Sequence, residues 1–392
     1  MTKLPMIQVP QALKKRLSAG HPWVYRDQLP PNAHFSNGAW VRVESGGWYG
    51  YGLWDANSPI AIRMFSQERV PDAGWISAHV ASAWELRAPV RQGATNAYRV
   101  LFGEGDGIPG VTVDLYDAYA VIATYADSVQ AIVPSVVTAL REHLPLQGIL
   151  QRVSRTESDA ESKVRVLWGV PPPAELVIEE HGLKFRANLF AGQKTGLFLD
   201  HRENRKYLET WCYGKSVLNC FSYTGAFSVY AAWGGATEIV SCDIAPAAAE
   251  DARTNFALNG FNPNQYTFLV EDCFALLTQY AREGRQFDII VLDPPSFATS
   301  KRQFHAAMRA YTRLNQLALR CVIPGGLLAS ASCTSQVGPE DFRAMLATAA
   351  QEANRRLQII YDAGQPLDHP VPAHFPEGRY LKFMLCRVQQ RV

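Results

Sequence analysis

At 392 residues and 43.5 kDa, the chain is between two and three times the length of a domain of roughly 150 residues, so it can bury several cores without staples. Apolar residues at 47% and charged residues at 19% exclude a disordered tail protein and a fibrous repeat, and no apolar run approaches the roughly 18 to 20 residues of a bilayer span. A net charge of +2 from 38 basic and 36 acidic groups excludes a uniformly basic surface, so any nucleic-acid site must be local. Met1–Pro10 carries no apolar stretch followed by a small-residue cleavage site. The seven cysteines (212, 220, 242, 273, 321, 333 and 386) show no CxxC spacing. The expectation is a cytosolic protein with neither a disulfide framework nor a zinc site.

Six of the nine tryptophans (23, 40, 48, 54, 75 and 84) lie in the first 84 residues, where the pattern alternates like strands around turns. Ala39–Glu44, the Gly46-Gly47 turn and Trp48–Trp54 predict a hairpin, and Ile60–Phe65 a further strand. Residues 1–75 hold eight Lys/Arg against five Asp/Glu; composition alone predicts a small β-barrel with its aromatics inside. A helical stretch over 76–95 leads to the turn cluster Gly103–Gly110, which lacks the lysine and following helix of a phosphate-binding loop. Val111–Tyr116 and Tyr119–Tyr125 read as two strands, and Leu176–Ala187 as a hairpin turning at His181-Gly182.

Past residue 215 strands alternate with helices, the pattern of a parallel sheet. Strands are expected over 216–221, 238–242, 266–270, 287–292, 326–332, 357–361 and 380–387, with helices over 225–233, 246–259, 273–283, 303–321 and 339–354. Ligands of such sheets bind beyond the carboxyl ends of the strands. The first strand ends in Asn219-Cys-Phe-Ser-Tyr-Thr-Gly225, with one late glycine where a dinucleotide binder needs several. A cofactor without phosphates, such as S-adenosylmethionine, tolerates that bulk. Asp243 and Asp272 end the next two strands, each able to grip a ribose or an adenine amino group and each equally able to cap a helix. Asp293-Pro294-Pro295 ends the fourth, its prolines stiffening the carboxylate's mount. Cys333 ends the fifth, beside Asp293 if those strands are neighbours; Cys212, Cys220, Cys242, Cys321 and Cys386 read as small buried hydrophobes.

These motifs resemble, in order and over nearly the whole chain, the RlmI-type family of 23S ribosomal RNA cytosine-5 methyltransferases. The resemblance rests on Gly20-His-Pro-Trp-Val-Tyr25, Gly105–Gly110, Glu179-Glu-His-Gly-Leu183, Gly192–Arg205, Val217–Gly225, Asp293-Pro-Pro, Ser332-Cys333, and His369-Pro370 with Phe375–Lys382. It implies an α/β chain of three parts: a PUA-like RNA-binding domain over 1–75, an α+β middle domain over 76–190, and a Rossmann-like class I methyltransferase domain with a doubly wound seven-stranded sheet over 191–392. It implies S-adenosylmethionine as cofactor, with Lys194, Thr195, Asp200 and Arg202 at the entrance, Asn219, Ser222, Thr224 and Gly225 on the methionine part, Asp243 on the ribose, Asp272 on the adenine and Asp293 lining the pocket. Ribosomal RNA is the implied partner, touched by His21, Trp23, Arg26, Lys301 and Lys382, with no metal and no membrane; a homodimer is compatible with it.

The implied chemistry is a Cys333 thiolate adding to carbon 6 of cytosine, which makes carbon 5 nucleophilic, while Asp293 bonds ring nitrogen 3 and the amino group. Ser296 stands where two-cysteine RNA cytosine methyltransferases carry their second cysteine. The target base must leave its stack, and Phe297 and Tyr223 can stack on it or serve as core. Two other functions fit the same motifs. One is methylation of a nitrogen of adenine or guanine, in which Cys333 would be dispensable; the other is a non-catalytic RNA-binding assembly factor. A nicotinamide oxidoreductase fits least, for want of glycines.

Overall fold

The computed structural model describes residues 4–153, 163–190, 196–298 and 300–391. The chain divides into two compact units: one holds the residues up to Glu179 together with the late segment Leu367–Gly378, the other chiefly Gly196–Pro366 and the residues from Arg379 onward. Lys194 and Thr195 lie outside the described residues.

In the first unit, β1 (Met6–Gln8), β2 (Trp23–Tyr25), β3 (Trp40–Ser45), β4 (Trp48–Trp54) and β5 (Ile60–Ser66) form one sheet in the order β1-β3-β4-β5-β2, with Leu17 of the short helix α1 (Lys14–Ser18) in its core. The expected hairpin is β3-β4. The residues of β3 alternate between buried and half-buried, and Gly46 and Gly47 take φ of 53° and 83°, a left-handed pair whose twist suits a two-residue turn. A second sheet runs β10-β9-β8-β7-β6, from β6 (Ala97–Phe102), β7 (Val111–Tyr116), β8 (Tyr119–Thr124), β9 (Gly148–Val153) and β10 (Lys163–Gly169). The helix expected over 76–95 starts earlier and breaks in two, as α2 (Ala73–Leu86), capped by Asp72 on the Trp75 amide at 2.8 Å, and α3 (Ala88–Arg91). The break falls at Arg87, which is fully buried and donates to both carboxylate oxygens of Asp106, at 2.7 and 2.6 Å. The glycine cluster is therefore a turn that carries Asp106 to Arg87. Helix α4 (Val133–His143) has no counterpart among the predicted elements: its valines favour strand, and burial of Val133, Val136, Ala139 and Leu140 at helical spacing decides otherwise.

Leu367–Gly378 is stitched into this unit by charge. The Arg87 guanidinium also donates to the Asp368 carbonyl at 2.9 Å, Asp368 Oδ2 accepts from the Arg99 amide at 2.9 Å, and Glu377 accepts from Arg16 at 2.8 Å. Phe375 packs edge-on against Trp23, with centroids 4.6 Å apart.

The hairpin of β11 (Leu176–Glu180) and β12 (Leu183–Ala187) turns where expected, with His181 and Gly182 left-handed at φ 49° and 80°. In the second unit α5 (Arg202–Glu209) precedes a seven-stranded sheet of β13 (Ser216–Cys220), β14 (Glu238–Asp243), β15 (Thr267–Val270), β16 (Phe287–Leu292), β17 (Val322–Ser332), β18 (Arg355–Ala363) and β19 (Lys382–Gln390). Its order is β15-β14-β13-β16-β17-β19-β18, parallel except for β19, which runs against both neighbours. Helices α6 (Ala226–Trp233), α7 (Pro246–Leu258), α8 (Cys273–Glu283), α9 (Phe304–Arg320) and α10 (Pro339–Glu352) connect the strands. All seven strands and these five helices match expectation to within a few residues. The central strands are near-continuous apolar runs because helices cover both faces of a parallel sheet. Among the described residues no helix is long and apolar enough to cross a membrane.

Candidate active site

Strand order reverses beside β13, so the loops after β13, β14, β16 and β17 meet at one edge. The loop after β13 is bent hard: Phe221, Tyr223 and Gly225 all have positive φ, of 58°, 47° and 76°. Two bulky residues there cost of order 1–3 kcal/mol each, a strain that persists only when the surroundings over-determine it. They do. The Ser222 amide donates to the Cys242 carbonyl at 2.9 Å, the Tyr223 amide to Asp243 Oδ2 at 2.9 Å, Thr224 Oγ1 to the Gly196 carbonyl at 2.6 Å, and Asn255 Nδ2 to the Thr224 carbonyl at 2.8 Å. A Cβ on Gly225 would lie 2.8 Å from that of Ala252. Gly225→Ala is thus expected to cost about 1–3 kcal/mol in chemical denaturation, and an unchanged midpoint would mean that the loop relaxes freely.

Asp243 is half-buried and holds the loop through the Tyr223 amide and the Ala245 amide, the latter at 3.0 Å on Oδ1. Asp272 is exposed and caps α8 through the Ala275 amide at 2.9 Å. Asn219 is 1% exposed; its Nδ2 donates to Ser228 Oγ at 2.9 Å, and its Oδ1 has no partner among the described residues.

Asp293 faces a histidine to which the sequence motifs assign no role. His201 is 2% exposed, its Nε2 3.3 Å from Asp293 Oδ1 and its Nδ1 3.1 Å from Asn204 Nδ2. Burial works against a charged imidazole, but Asp293, with Asp200 behind it, outweighs burial and the nearby Arg205 and raises the His201 pKa. The Asn204 amide favours the tautomer whose Nε2–H points at Asp293. Turning that amide over would let its Oδ1, which has no partner among the described residues, accept an Nδ1–H, so the pocket also accommodates the imidazolium. A raised folded pKa stabilises the fold fully below the unfolded value near 6.5 and loses that contribution as pH rises through the folded one. His201→Asn should therefore flatten the fall in melting temperature as the pH rises above about 6.5; a slope matching the wild type would remove the pair from that role.

Strands β16 and β17 are parallel neighbours, with Leu292 opposite Ser330, so Cys333 ends the strand next to Asp293's. Of the seven cysteines six are buried, and Cys333 alone is half-exposed. Burial pushes the thiols of Cys212 and Cys386 up to about 12 and that of Cys321 up to about 11. Beneath Cys333 lies a hydroxyl cluster. Ser332 Oγ donates to Tyr311 Oη at 3.0 Å, Tyr311 Oη meets Thr334 Oγ1 at 2.7 Å, and Thr334 Oγ1 meets Ser296 Oγ at 3.0 Å. Ser296, at the position of a second cysteine elsewhere, thus braces the Cys333 turn.

Lys382 opposes Ser332 across β17-β19 and is 1% exposed, donating to the carbonyls of Thr334 at 2.6 Å and Tyr380 at 2.8 Å. Burial lowers its pKa to about 8, against an opposing pull from Cys333. The RNA contact expected of Lys382 is corrected accordingly: its ammonium points inward, onto those two carbonyls. His21 is also buried, at 2%, between Trp23 and Phe375. Trp23 Nε1 donates to Glu104 at 2.9 Å; Arg26 bonds the carbonyls of Ser58 and Asp55 and sits over Trp54. Only Lys301 of that set is fully exposed. Arg202 is 1% exposed and donates to Glu203 at 2.8 Å; His181 and Arg202 hold the Glu203 carboxyl down at about 2. Asp200 accepts from Tyr380 Oη at 2.6 Å. Phe297 is half-buried and packs on Tyr311, centroids 4.6 Å apart.

A parallel sheet with one reversed strand, a strained loop after its first strand and acids at its strand ends is what a class I methyltransferase requires. Residues 132–373 match the S-adenosylmethionine-dependent methyltransferase family, and residues 7–67 a PUA-like domain. The chain belongs to the S-adenosylmethionine-dependent methyltransferase family. Curated relatives of this methyltransferase include the ribosomal RNA large subunit methyltransferase I proteins of Shewanella amazonensis, 37% identical over 97% of this chain and 99% of that one, and of Aeromonas salmonicida, 36% identical over 96% and 97%. Among solved structures, that of SMU.776 complexed with SAH superposes with a TM-score of 0.88 at 25% identity, covering 98% of this chain and 100% of the other. S-adenosylmethionine is the methyltransferase's cofactor.

Proposed function

We propose that this methyltransferase forms 5-methylcytosine in large-subunit ribosomal RNA, with Cys333 as the nucleophile and Asp293 gripping the base. The observation that carries this reading is the single half-exposed thiol of seven, at the end of β17 next to Asp293's strand and against a buried lysine. The relatives' names supply the ribosomal RNA. The division into domains 1–75, 76–190 and 191–392 belongs to the same proposal.

S-adenosylmethionine supplies the methyl group, carried on its sulfonium. For holding it, Asp243 keeps acceptor capacity beyond its two amide bonds, Asn219 Oδ1 is a buried acceptor unused among the described residues, and Ile244, 71% exposed, offers a flat ring an apolar face. Ser222, Thr224 and Gly225 would line the methionine part, Asp272 would offer its second carboxylate oxygen to the adenine amino group, and Asp200 would stand at the entrance, with Arg202 buried against Glu203. The thiolate of Cys333 forms a bond to carbon 6, and the electron pair released from the carbon 5–carbon 6 double bond becomes available at carbon 5 as nitrogen 3 takes a proton from Asp293. His201 fixes that carboxyl's rotamer and replaces its proton. After methylation a base takes the carbon 5 hydrogen as a proton, the C–H electron pair re-forms the carbon 5–carbon 6 double bond as the thiolate leaves carbon 6, and nitrogen 3 returns its proton to Asp293.

The test uses ribosomal RNA from a strain lacking this gene, tritiated at carbon 5 of its cytosines, with the protein and S-adenosylmethionine. Tritium should appear in water in step with methyl incorporation, and Cys333→Ala should abolish both. Methyl transfer without tritium release would sink carbon 5 as the target and favour a purine nitrogen.

A further inference from the structure

Charge along the chain is closely balanced, 38 basic against 36 acidic groups, yet between Pro294 and Gly338 there are five Lys/Arg and no Asp or Glu. That stretch begins at the Asp293 loop and contains α9. Lys301 and Arg302 sit in the turn that opens α9, and His305, Arg309 and Arg313 follow on it; all five are exposed. Positions 302, 305, 309 and 313 are spaced by three, four and four residues, which places them on one face of a helix. From His305 to Arg313 the row runs roughly 12 Å. Among the described residues, Lys301, Arg302, Arg309 and Arg313 have no ion pair or side-chain hydrogen bond. This contrasts with Arg87, Arg99, Arg186 and Arg205, each held by a carboxylate. Helix α9 is amphipathic in the sense that matters: Ala307, Tyr311, Leu314 and Ala318 are buried on the opposite side. Between α9 and α10 lies a groove of about 470 Å³, lined by His305, Arg309, Thr312, Arg313 and Thr348, with Glu352 as its single acid among the described residues.

We propose that this face of α9 is an RNA-contact surface that holds the sugar-phosphate backbone flanking the target nucleotide. The inference rests on the RNA reading above and gives it a location. Helix α9 leaves the sheet edge that carries Asp293, so a strand whose base enters the site passes over its first turns. Guanidinium forks match phosphate oxygens in pairs, and exposed guanidiniums one turn apart can follow a backbone without reading sequence. A flipped-out base makes that grip necessary, because its unstacking must be offset by contacts on either side.

The test is the binding of an in-vitro-transcribed large-subunit ribosomal RNA to the full chain over a salt series. The variant carries Arg302→Gln, Arg309→Gln and Arg313→Gln. A control of the same net charge carries Lys184→Gln, Arg282→Gln and Arg391→Gln, all exposed elsewhere. Each lost phosphate contact should lower the slope of log affinity against log salt by about 0.7–0.9, so the variant should lose about 2 to 3 in slope, with melting temperature and S-adenosylmethionine binding unchanged. The control should keep the wild-type slope. Wild-type binding with an unaltered variant would overturn the α9 surface alone, and equal losses in variant and control would overturn it as a bulk charge effect. A wild type that binds no RNA would overturn this surface together with the reading on which it rests.

Discussion

Replacing Lys382 by methionine is expected to slow alkylation of Cys333 at pH 7 by about tenfold or more and to move the rising limb of the methylation pH profile upward by about one pH unit. The thiolate is the reactive form of cysteine, and a free thiol at ~8.5 is mostly protonated at pH 7. Lys382, buried and brought down to about 8, titrates in that same window, so the two groups divide protons as a pair. A positive charge near the sulfur favours the thiolate, so removing it leaves less of the reactive form near neutrality. Methionine keeps most of the aliphatic volume and removes the charge. Lys382→Arg should restore part of the alkylation rate at pH 7. A merely structural lysine would lower melting temperature without moving either pH profile, and that pattern would overturn the assignment. Above about pH 8 the wild type loses the ammonium, so its advantage over Lys382→Met should shrink there.

Glu180→Gln is expected to cost about 3–5 kcal/mol, seen as a fall of roughly 10 °C in melting temperature. Glu180 is fully buried, and its two oxygens accept from Arg205 Nε at 2.8 Å and Nη2 at 2.7 Å, with Tyr230 Oη donating to one of them at 3.0 Å. Arg205 is itself 1% exposed; burial opposes its charge, and Glu180 more than compensates, raising its pKa. Glutamine preserves shape but turns one of the two accepting oxygens into a donor facing Arg205, and it leaves a guanidinium in the interior without its counter-charge, the costly way to break a buried pair. The paired change Glu180→Leu with Arg205→Met should recover much of the loss, because it removes both charges. Equal and additive losses in the two single variants would show that the residues do not act as a pair.

Much of this was legible from residue order. The strand-helix alternation past 215 predicted all seven strands because buried parallel strands are near-continuous apolar runs, a pattern that survives without alignment. The glycine-poor turn at 219–225 pointed away from dinucleotides, although nothing in it announced left-handed Phe221 and Tyr223: bulky residues adopt that geometry under tertiary constraint, which local sequence does not carry. Strand β6 escaped because Arg99 interrupts its apolar run, and only the fold reveals that Asp114 on the neighbouring strand answers it at 2.7 and 2.9 Å. His201 lies within the Gly192–Arg205 motif, yet its role depends on a residue 92 positions later (293 minus 201). Lys382 illustrates the converse error. A lysine near the end of a basic motif reads as surface charge, since lysine is almost never fully buried without a partner; the register of β17 against β19 is what turns it inward.

Leu367–Gly378 lies in sequence between β18 and β19, strands of one sheet, yet it belongs to the other compact unit: Glu377 pairs with Arg16, the Asp368 carboxylate accepts from the Arg99 backbone amide, and the Asp368 carbonyl accepts from Arg87. No single cut in the chain therefore yields two self-sufficient pieces. A fragment starting at residue 196 would carry Glu377 without Arg16 and the Asp368 carboxylate without the Arg99 amide, and one ending at residue 190 would leave Arg87 short of an acceptor. The chain leaves the second unit, completes the first and then returns, so a recombination event that swapped the front half for an unrelated module would break the back half as well. Inheritance as a single block is the outcome that such threading enforces.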